Sequence, residues 1–144
     1  MNLPLKYPLF NTKLKKQKDQ TFIFDEVRKK WLLLTPEEWV RQHLIHFLVR
    51  EKKYPASLIS IEKEITLNDL KKRYDIVIYN KQLMPVVVIE CKAPYIELDK
   101  NVVEQALRYN LIIKAKYLMI SNGVSDITFD SLNQVVNLPD HAEL

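Results

Sequence analysis

Residues 73–94, which read RYDIVIYNKQLMPVVVIECKAP, decide the fold of this chain. They contain two runs rich in Val and Ile, residues 74–79 and 86–93, separated by a short polar link. Such runs around a short link are typical of paired β-strands. The sequence therefore predicts a β-hairpin at the centre of the chain.

Three charged side chains interrupt these apolar runs. Because side chains alternate across a strand, we expect Asp75 on the same face as Val77 and Tyr79. Glu90 and Lys92 share a face for the same reason. If the hairpin is symmetric about its link, Asp75 lies directly opposite Glu90, with Cβ atoms roughly 5 Å apart.

Two facing carboxylates repel each other and lose hydration, so a fold keeps such a pair when a cation sits between them. A hard divalent cation such as Mg²⁺ takes oxygen ligands and fits this description. Lys92 can reach the same place from two residues beyond Glu90. The alternative is a solvated strand face on which Glu90 and Lys92 form an ion pair.

A helix start is predicted at residues 35–38, TPEE. Thr35 is the N-cap, Pro36 takes the first helical position and Glu38 completes a capping box. The helix should run to about residue 51, with Glu37 pointing along its buried stripe. That stripe consists of Val40, Leu44, Phe47 and Leu48.

The rest of the core alternates strands with one more helix. Residues 58–66 predict a strand with its isoleucines, Ile59, Ile61 and Ile65, on one face. A turn near residue 68 and a basic cluster, residues 71–73, then lead into the Asp75 strand. A helix over residues 100–113, capped near Asp99, a strand over 117–121 and an extra strand over 127–129 complete the pattern.

The N-terminal part has a different pattern. We expect residues 1–20 to form an arm with little regular structure, whose lysines are either solvated or in contact with phosphates. Residues 21–34 are compatible with a β-hairpin. We therefore divide the chain into an extension, residues 1–34, and a main domain, residues 35–144, within one compact molecule.

Composition excludes several classes of function. The 144 residues include one glycine, which excludes a Gly-rich phosphate loop, and one cysteine, Cys91, which we expect to be a buried thiol. No apolar run or leader indicates a membrane or secreted protein, so a cytoplasmic location is expected. The net charge of +4 permits an anionic partner without requiring one.

The pattern D-x14-E-C-K, formed by Asp75, Glu90 and Lys92, resembles the PD-(D/E)xK nuclease superfamily. Gln105 and Tyr109 follow with the spacing of the QxxxY motif, which resembles the N-terminal nuclease domain of type I restriction enzyme R subunits. The resemblance covers about residues 35–123. It implies an α/β fold with a restriction-endonuclease-like core, a central mixed β-sheet flanked by helices, here with an N-terminal β-hairpin extension.

The resemblance also implies an activity, which is endonuclease-like, Mg²⁺-dependent (or Mn²⁺-dependent) hydrolysis of DNA phosphodiester bonds in restriction or DNA processing. The metal ligands would be Asp75, Glu90, the backbone carbonyl of Cys91 and a helical glutamate, for which Glu37 is the candidate. Lys92 would stabilise the negative charge that builds on the phosphate. Gln105 and Tyr109 would position either Lys92 or the DNA backbone. The candidate nucleic-acid contacts are Lys71, Lys72, Arg73 and Arg108.

Two rival hypotheses stay open: a nuclease fold that binds nucleic acid or protein without cutting, and a purely structural role for the charges. The expected partners are DNA and separately encoded motor or specificity subunits, because helicase-type motor domains do not fit in 144 residues. No membrane contact is expected. Double-strand cutting with one site per chain needs either a homodimer or two successive nicks.

Overall fold

The structure is a computed structural model that describes residues 3–144. Its N-terminal part is a three-stranded antiparallel sheet in the order β1-β2-β3. These strands are β1 (Leu14–Gln17), β2 (Gln20–Asp25) and β3 (Lys30–Leu33). The predicted hairpin is confirmed as β2 and β3, but the arm is not unstructured, because residues 14–17 add β1 to it. Residues 1 and 2 of the predicted arm lie outside the described residues.

A six-stranded mixed sheet forms the centre of the molecule, in the order β4-β5-β6-β7-β8-β9. Only β6 and β7 run parallel, and α2 (Lys100–Ile113) connects them. The strands are β4 (Ile59–Leu67), β5 (Leu70–Tyr79), β6 (Pro85–Cys91), β7 (Tyr117–Ser121), β8 (Asp126–Phe129) and β9 (Val135–Val136). The predicted mixed sheet flanked by helices is confirmed.

One face of this sheet is covered by α1 (Pro36–Arg50). The Thr35 hydroxyl caps the helix by accepting a hydrogen bond from the Glu38 amide at 3.0 Å. The predicted capping box is wrong in its second half, because the Glu38 carboxylate accepts from Arg41 and Gln42 instead. Side chains from α1 pack on the sheet in one apolar cluster, which includes Val40, Leu44, Leu48, Ile76, Ile78 and Ile89.

The other face is covered by α2, which begins where predicted because the Asp99 carboxylate accepts from the Val102 amide at 3.0 Å. Ala106 and Ile113 are buried against the sheet, with Val77, Val88, Leu118 and Ile120 in the same cluster. The two helices thus enclose the strands that carry Asp75 and Glu90.

The register of the central hairpin is as predicted from Ile76 to Ile78, and it shifts by one residue at Tyr79, which pairs with Pro85. Ile76 pairs with Ile89, and the next pair of this ladder would be Asp75 with Glu90. The ladder ends one pair before them, because the Asp75 carboxylate takes the amide hydrogen of Cys91 for itself at 2.7 Å. Asp75 therefore stands in the middle of β5, opposite Glu90 near the end of β6.

Two predictions about which side chains share a face of the sheet are wrong. Both are wrong because of an irregularity at Glu62 and Asp75. Glu62, which the register sets opposite Asp75, has a left-handed backbone with φ 52°. The alternation of side chains slips there, so Ile61 packs on the α1 face while Ile65 packs on the α2 face. For the same reason Asp75 does not share the α2 face with Val77.

The basic cluster before Asp75 is already part of β5, which begins at Leu70. Alternation along the strand separates its three cations. Lys71 and Arg73 are exposed, whereas Lys72 is half-buried and points toward Glu90. Lys72 therefore lies beside Glu90, and the assignment of Lys71 and Arg73 as nucleic-acid contacts stays a prediction.

The N-terminal arm crosses the six-stranded sheet before it reaches β1. The Lys6 amide donates to the Gly123 carbonyl at 2.7 Å, and the Tyr7 hydroxyl lies 2.6 Å from Ser121 Oγ. Gly123 has φ +83°, and a Cβ built on it would lie 2.6 Å from Leu5 Cδ2. The only glycine of the chain is therefore needed both for its backbone conformation and for the close approach of the arm.

Within residues 3–144, no helix is long and apolar enough to span a bilayer.

Candidate active site

Asp75 is held in the middle of β5 by two hydrogen bonds. Its Oδ1 accepts from Arg41 Nη1 at 2.9 Å and its Oδ2 accepts from the Cys91 amide at 2.7 Å. Burial raises the pKa of the Asp75 carboxyl and Glu90 adds to the rise, while the Cys91 amide and Arg41 oppose it. The Asp75 carboxyl group is therefore firmly oriented, and the Arg41 guanidinium offsets part of the cost of burying its negative charge.

Glu90 leaves the end of β6 on the α2 side of the sheet. Only 12% of its side chain is exposed, and it forms an ion pair with Lys72. The Lys72 ammonium lies 5.4 Å from the centre of the Tyr74 ring and 4.8 Å from that of Tyr109. Cation–π attraction from two rings and an ion pair thus hold one ammonium group against Glu90.

Lys92 follows β6 and is fixed through its backbone, whose amide donates to the Ser121 carbonyl at 2.8 Å. Its ammonium forms no ion pair with any of residues 3–144. Glu37 is close by: burial first and the Asp75 carboxylate second raise the pKa of Glu37, whereas Arg41 and Lys92 lower it. The structure thus brings Glu37, Asp75 and Lys92 into one electrostatic neighbourhood.

Gln105 and Tyr109 line an open cleft of about 470 Å³ between α2 and the start of β5. Gln105 and Arg108 are exposed in it, and Tyr109 is half-buried. Lys72 joins this cleft to Glu90, because it contacts both Glu90 and the Tyr109 ring. The side chains of the QxxxY motif therefore lie on the approach to Glu90.

The sequence analysis missed Arg41, the cation that contacts Asp75. Arg41 is 8% exposed at its side chain, and it also donates to both carboxylate oxygens of Glu38. Its spacing offered a signal, since Glu38 and Arg41 stand three apart on a helix whose other buried positions are mostly apolar.

Around Arg41 the buried charges form a connected network. Asp25 is fully buried, and its carboxylate accepts from Arg28 Nε and Gln42 Nε2. Arg28 in turn donates to Glu62 at 2.9 Å, and Glu62 lies 3.5 Å from Arg41. This network ties the three-stranded sheet to the site through α1 and β4.

The site offers hard oxygen donors, which are the ligands that Mg²⁺ prefers. Among the described residues, no group of three or more His, Cys, Asp or Glu side chains is arranged to hold a metal ion. Two carboxylates and a backbone carbonyl, the set predicted from Asp75, Glu90 and Cys91, are compatible with an ion that keeps several waters. Such an ion has to compete with Lys72 for Glu90 and to share Asp75 with Arg41.

Comparison with protein families identifies the chain. The model described as type I restriction enzyme R protein N terminus matches residues 36–140. The chain belongs to this family. As an R-protein N-terminal domain it is a nuclease-like domain of a restriction system, and the matched residues contain all the candidate site residues discussed above.

Other comparisons of this R-protein N-terminal domain are less informative. A crystal structure described as "a putative nuclease belonging to DUF820 from Anabaena variabilis ATCC 29413" is similar at 13% identity and a TM-score of 0.46. The similarity covers 90% of this chain and 88% of that one, and at this level it supports no residue role. No curated protein matches the chain significantly.

Proposed function

We propose that the chain is a metal-dependent nuclease that hydrolyses DNA phosphodiester bonds with Mg²⁺ or Mn²⁺ in a restriction system. The observation that carries the proposal is the proximity of Asp75, in the middle of β5, to Glu90 and Lys92 at the end of β6, in a member of the R-protein N-terminal family. Two carboxylates and an unpaired ammonium are the groups that phosphodiester hydrolysis needs.

Each residue has a role that follows from its position. Asp75, Glu90 and the Cys91 carbonyl hold the ion, which supplies charge neutralisation of the phosphate and a more acidic water. Lys92, whose ammonium has no ion-pair partner within residues 3–144, stabilises the negative charge that builds on the phosphate. Gln105 and Tyr109 position the backbone of the DNA in the cleft that leads to Glu90.

A second function has its own support, which is binding of nucleic acid or protein without cutting. Arg41 and the Cys91 amide already satisfy one lone pair on each Asp75 oxygen, and Lys72 already neutralises Glu90. A site in which protein cations balance both carboxylates is stable without a metal ion. Cleavage assays separate the two functions.

The experiment compares native protein with Lys92→Ala on linear, circular and single-stranded DNA, with Mg²⁺ or Mn²⁺. We expect Lys92→Ala to cut about 100-fold more slowly, the size typical of losing one positioned charged group, while stabilisation by the divalent ion persists. Lys81→Ala, an exposed lysine at the β5–β6 turn, is the control and should cut normally. Native cutting speed in Lys92→Ala excludes its assigned role, and DNA binding without any cleavage by the native protein favours the second function.

The proposed partners follow from the same family. DNA is the substrate, and the protein partners are motor or specificity subunits, as a type I restriction enzyme has more than one kind of subunit. A homodimer would place two sites on a duplex, and sedimentation of the protein with and without DNA tests that arrangement.

A further inference from the structure

The outer face of the three-stranded sheet combines aromatic rings with lysines. Phe24 lies between Lys13 and Trp31 in one row across the strands, and Phe22 lies between Lys15 and Leu33 in the next. Side chains at alternate positions share a face, so all six project to the same side. Ile23 and Asp25 point the opposite way and are buried.

This face remains accessible although it is rich in large apolar groups. The side chains of Trp31 and Leu33 are 39% and 47% exposed. The ammonium groups of Lys15 and Lys13 lie 4.5 Å and 5.5 Å from the ring centres of Trp31 and Phe24. Cations therefore lie directly beside exposed aromatic rings.

The charge of the whole chain is concentrated in the same sheet. Residues 13–33 contain seven Lys or Arg and three Asp or Glu, which leaves +4, and +4 is also the net charge of all 144 residues. The other residues are therefore neutral as a set. The sheet therefore carries the excess positive charge of the chain, which attracts an anionic polymer.

We propose that this outer face binds single-stranded nucleic acid, with bases stacked on Trp31 and its neighbours and phosphates paired with Lys13 and Lys15. Aromatic side chains stack on the face of any base, and lysines beside them follow the backbone, which is how sequence-tolerant single-strand binding arises. A duplex keeps its bases stacked on each other and gains only the phosphate contacts. This surface lies outside the proposed catalytic site, so its test needs no cleavage and either proposal can fail alone.

The test measures binding of a fluorescein-labelled oligo-dT of 20 nucleotides and of a 20-base-pair duplex to the full chain in EDTA. Trp31→Ala should weaken oligo-dT binding by at least about fivefold with an unchanged salt slope, and Trp31→Phe should restore most of it. Lys13→Glu with Lys15→Glu should weaken binding and reduce the salt slope, unlike the matched pair Lys81→Glu with Lys116→Glu. Circular dichroism checks that each variant is folded.

Tryptophan fluorescence gives an independent readout because the chain has two tryptophans, and the second, Trp39, is 4% exposed. In Trp39→Phe, oligo-dT should quench the remaining indole of Trp31. Unchanged oligo-dT affinity in folded Trp31→Ala overturns the proposal, as does the absence of quenching in Trp39→Phe. If Trp31→Ala weakens binding of the duplex as much as binding of oligo-dT, the proposal is also overturned. Phosphate contacts alone would then explain the binding.

Discussion

Arg41 shows how one buried cation can hold a carboxylate of the candidate site. It contacts Asp75 and Glu38 with almost no exposure to water, and it lies 3.5 Å from Glu62. Glu38 and Asp75 are largely buried, so water replaces a lost guanidinium group poorly there, whereas Glu62 is 39% exposed and also accepts from Arg28. Arg41 therefore contributes both to the stability of the fold and to the position of Asp75 in the site.

Replacing Arg41 should consequently destabilise the protein. Arg41→Ala leaves Glu38 and Asp75 buried without their cation, which should cost about 3–5 kcal/mol in the free energy of unfolding. Arg73→Ala is the control: Arg73 also contacts Glu62, but its side chain is 67% exposed, and its loss should cost less than about 1 kcal/mol. Urea denaturation at neutral pH measures both. Similar losses in the two variants would contradict the role assigned to burial.

At the scale of the strand, β5 directs its three neighbouring cations to different sides. Lys72 lies beside Glu90, whereas Lys71 and Arg73 are exposed to solvent. A divalent ion that binds Glu90 has to displace the Lys72 ammonium, because both need the same carboxylate. Lys72 of β5 therefore competes with the proposed metal ion for Glu90.

Lys72→Gln should therefore strengthen binding of Mg²⁺ to the uncomplexed protein by about fivefold, the equivalent of about 1 kcal/mol. Titration of the melting temperature with MgCl₂ measures this. Lys71→Gln changes the neighbouring exposed lysine by the same charge and should leave the affinity within about twofold of native. Weaker or unchanged Mg²⁺ binding in Lys72→Gln would show that Lys72 does not compete for Glu90.

Regular elements were predictable from the sequence because their signals are local. Thr35 and Asp99 mark the starts of both helices, and the valines and isoleucines of β5 and β6 mark the hairpin and its register. The slip at Glu62 and Asp75 was not predictable, since no glycine or proline marks it. It coincides with the left-handed backbone of Glu62 and with a contact between distant residues, the hydrogen bond from the Cys91 amide to Asp75.

Part of the site was predictable because the signals of its strands are local. Its carboxylates lie on the strands that the sequence identified, whereas Arg41 comes from a helix 34 positions away from Asp75. Likewise β1 is almost entirely exposed and has no apolar alternation. The strand β1 forms because it pairs with β2. The sequence of residues 14–17 alone does not predict it.

At the scale of the whole molecule, the division into residues 1–34 and 35–144 is a prediction that truncation tests. Tyr7 is 4% exposed in the α1-side core, and Ile23 packs with Trp39. We expect residues 35–144 alone to melt at least about 10 °C below the full chain, from a loss of about 3 kcal/mol or more.

Tyr7→Ala in the full chain should reproduce much of that loss without truncation, while Lys18→Ala, at the exposed β1–β2 turn, should not. Differential scanning calorimetry compares the three proteins with the native chain. An unchanged melting temperature for residues 35–144 would mean that the main domain is independent of the extension.

The contact between the arm and Gly123 also sets an order of events during synthesis. Tyr7 and its partner Ser121 are 114 positions apart, so the ribosome releases the arm long before the strand that receives it. Contacts between such distant positions close late in folding, after the local elements have formed. The apolar arm of every nascent chain therefore waits undocked until β7 and the Gly123 turn emerge, and docking of the arm completes the core.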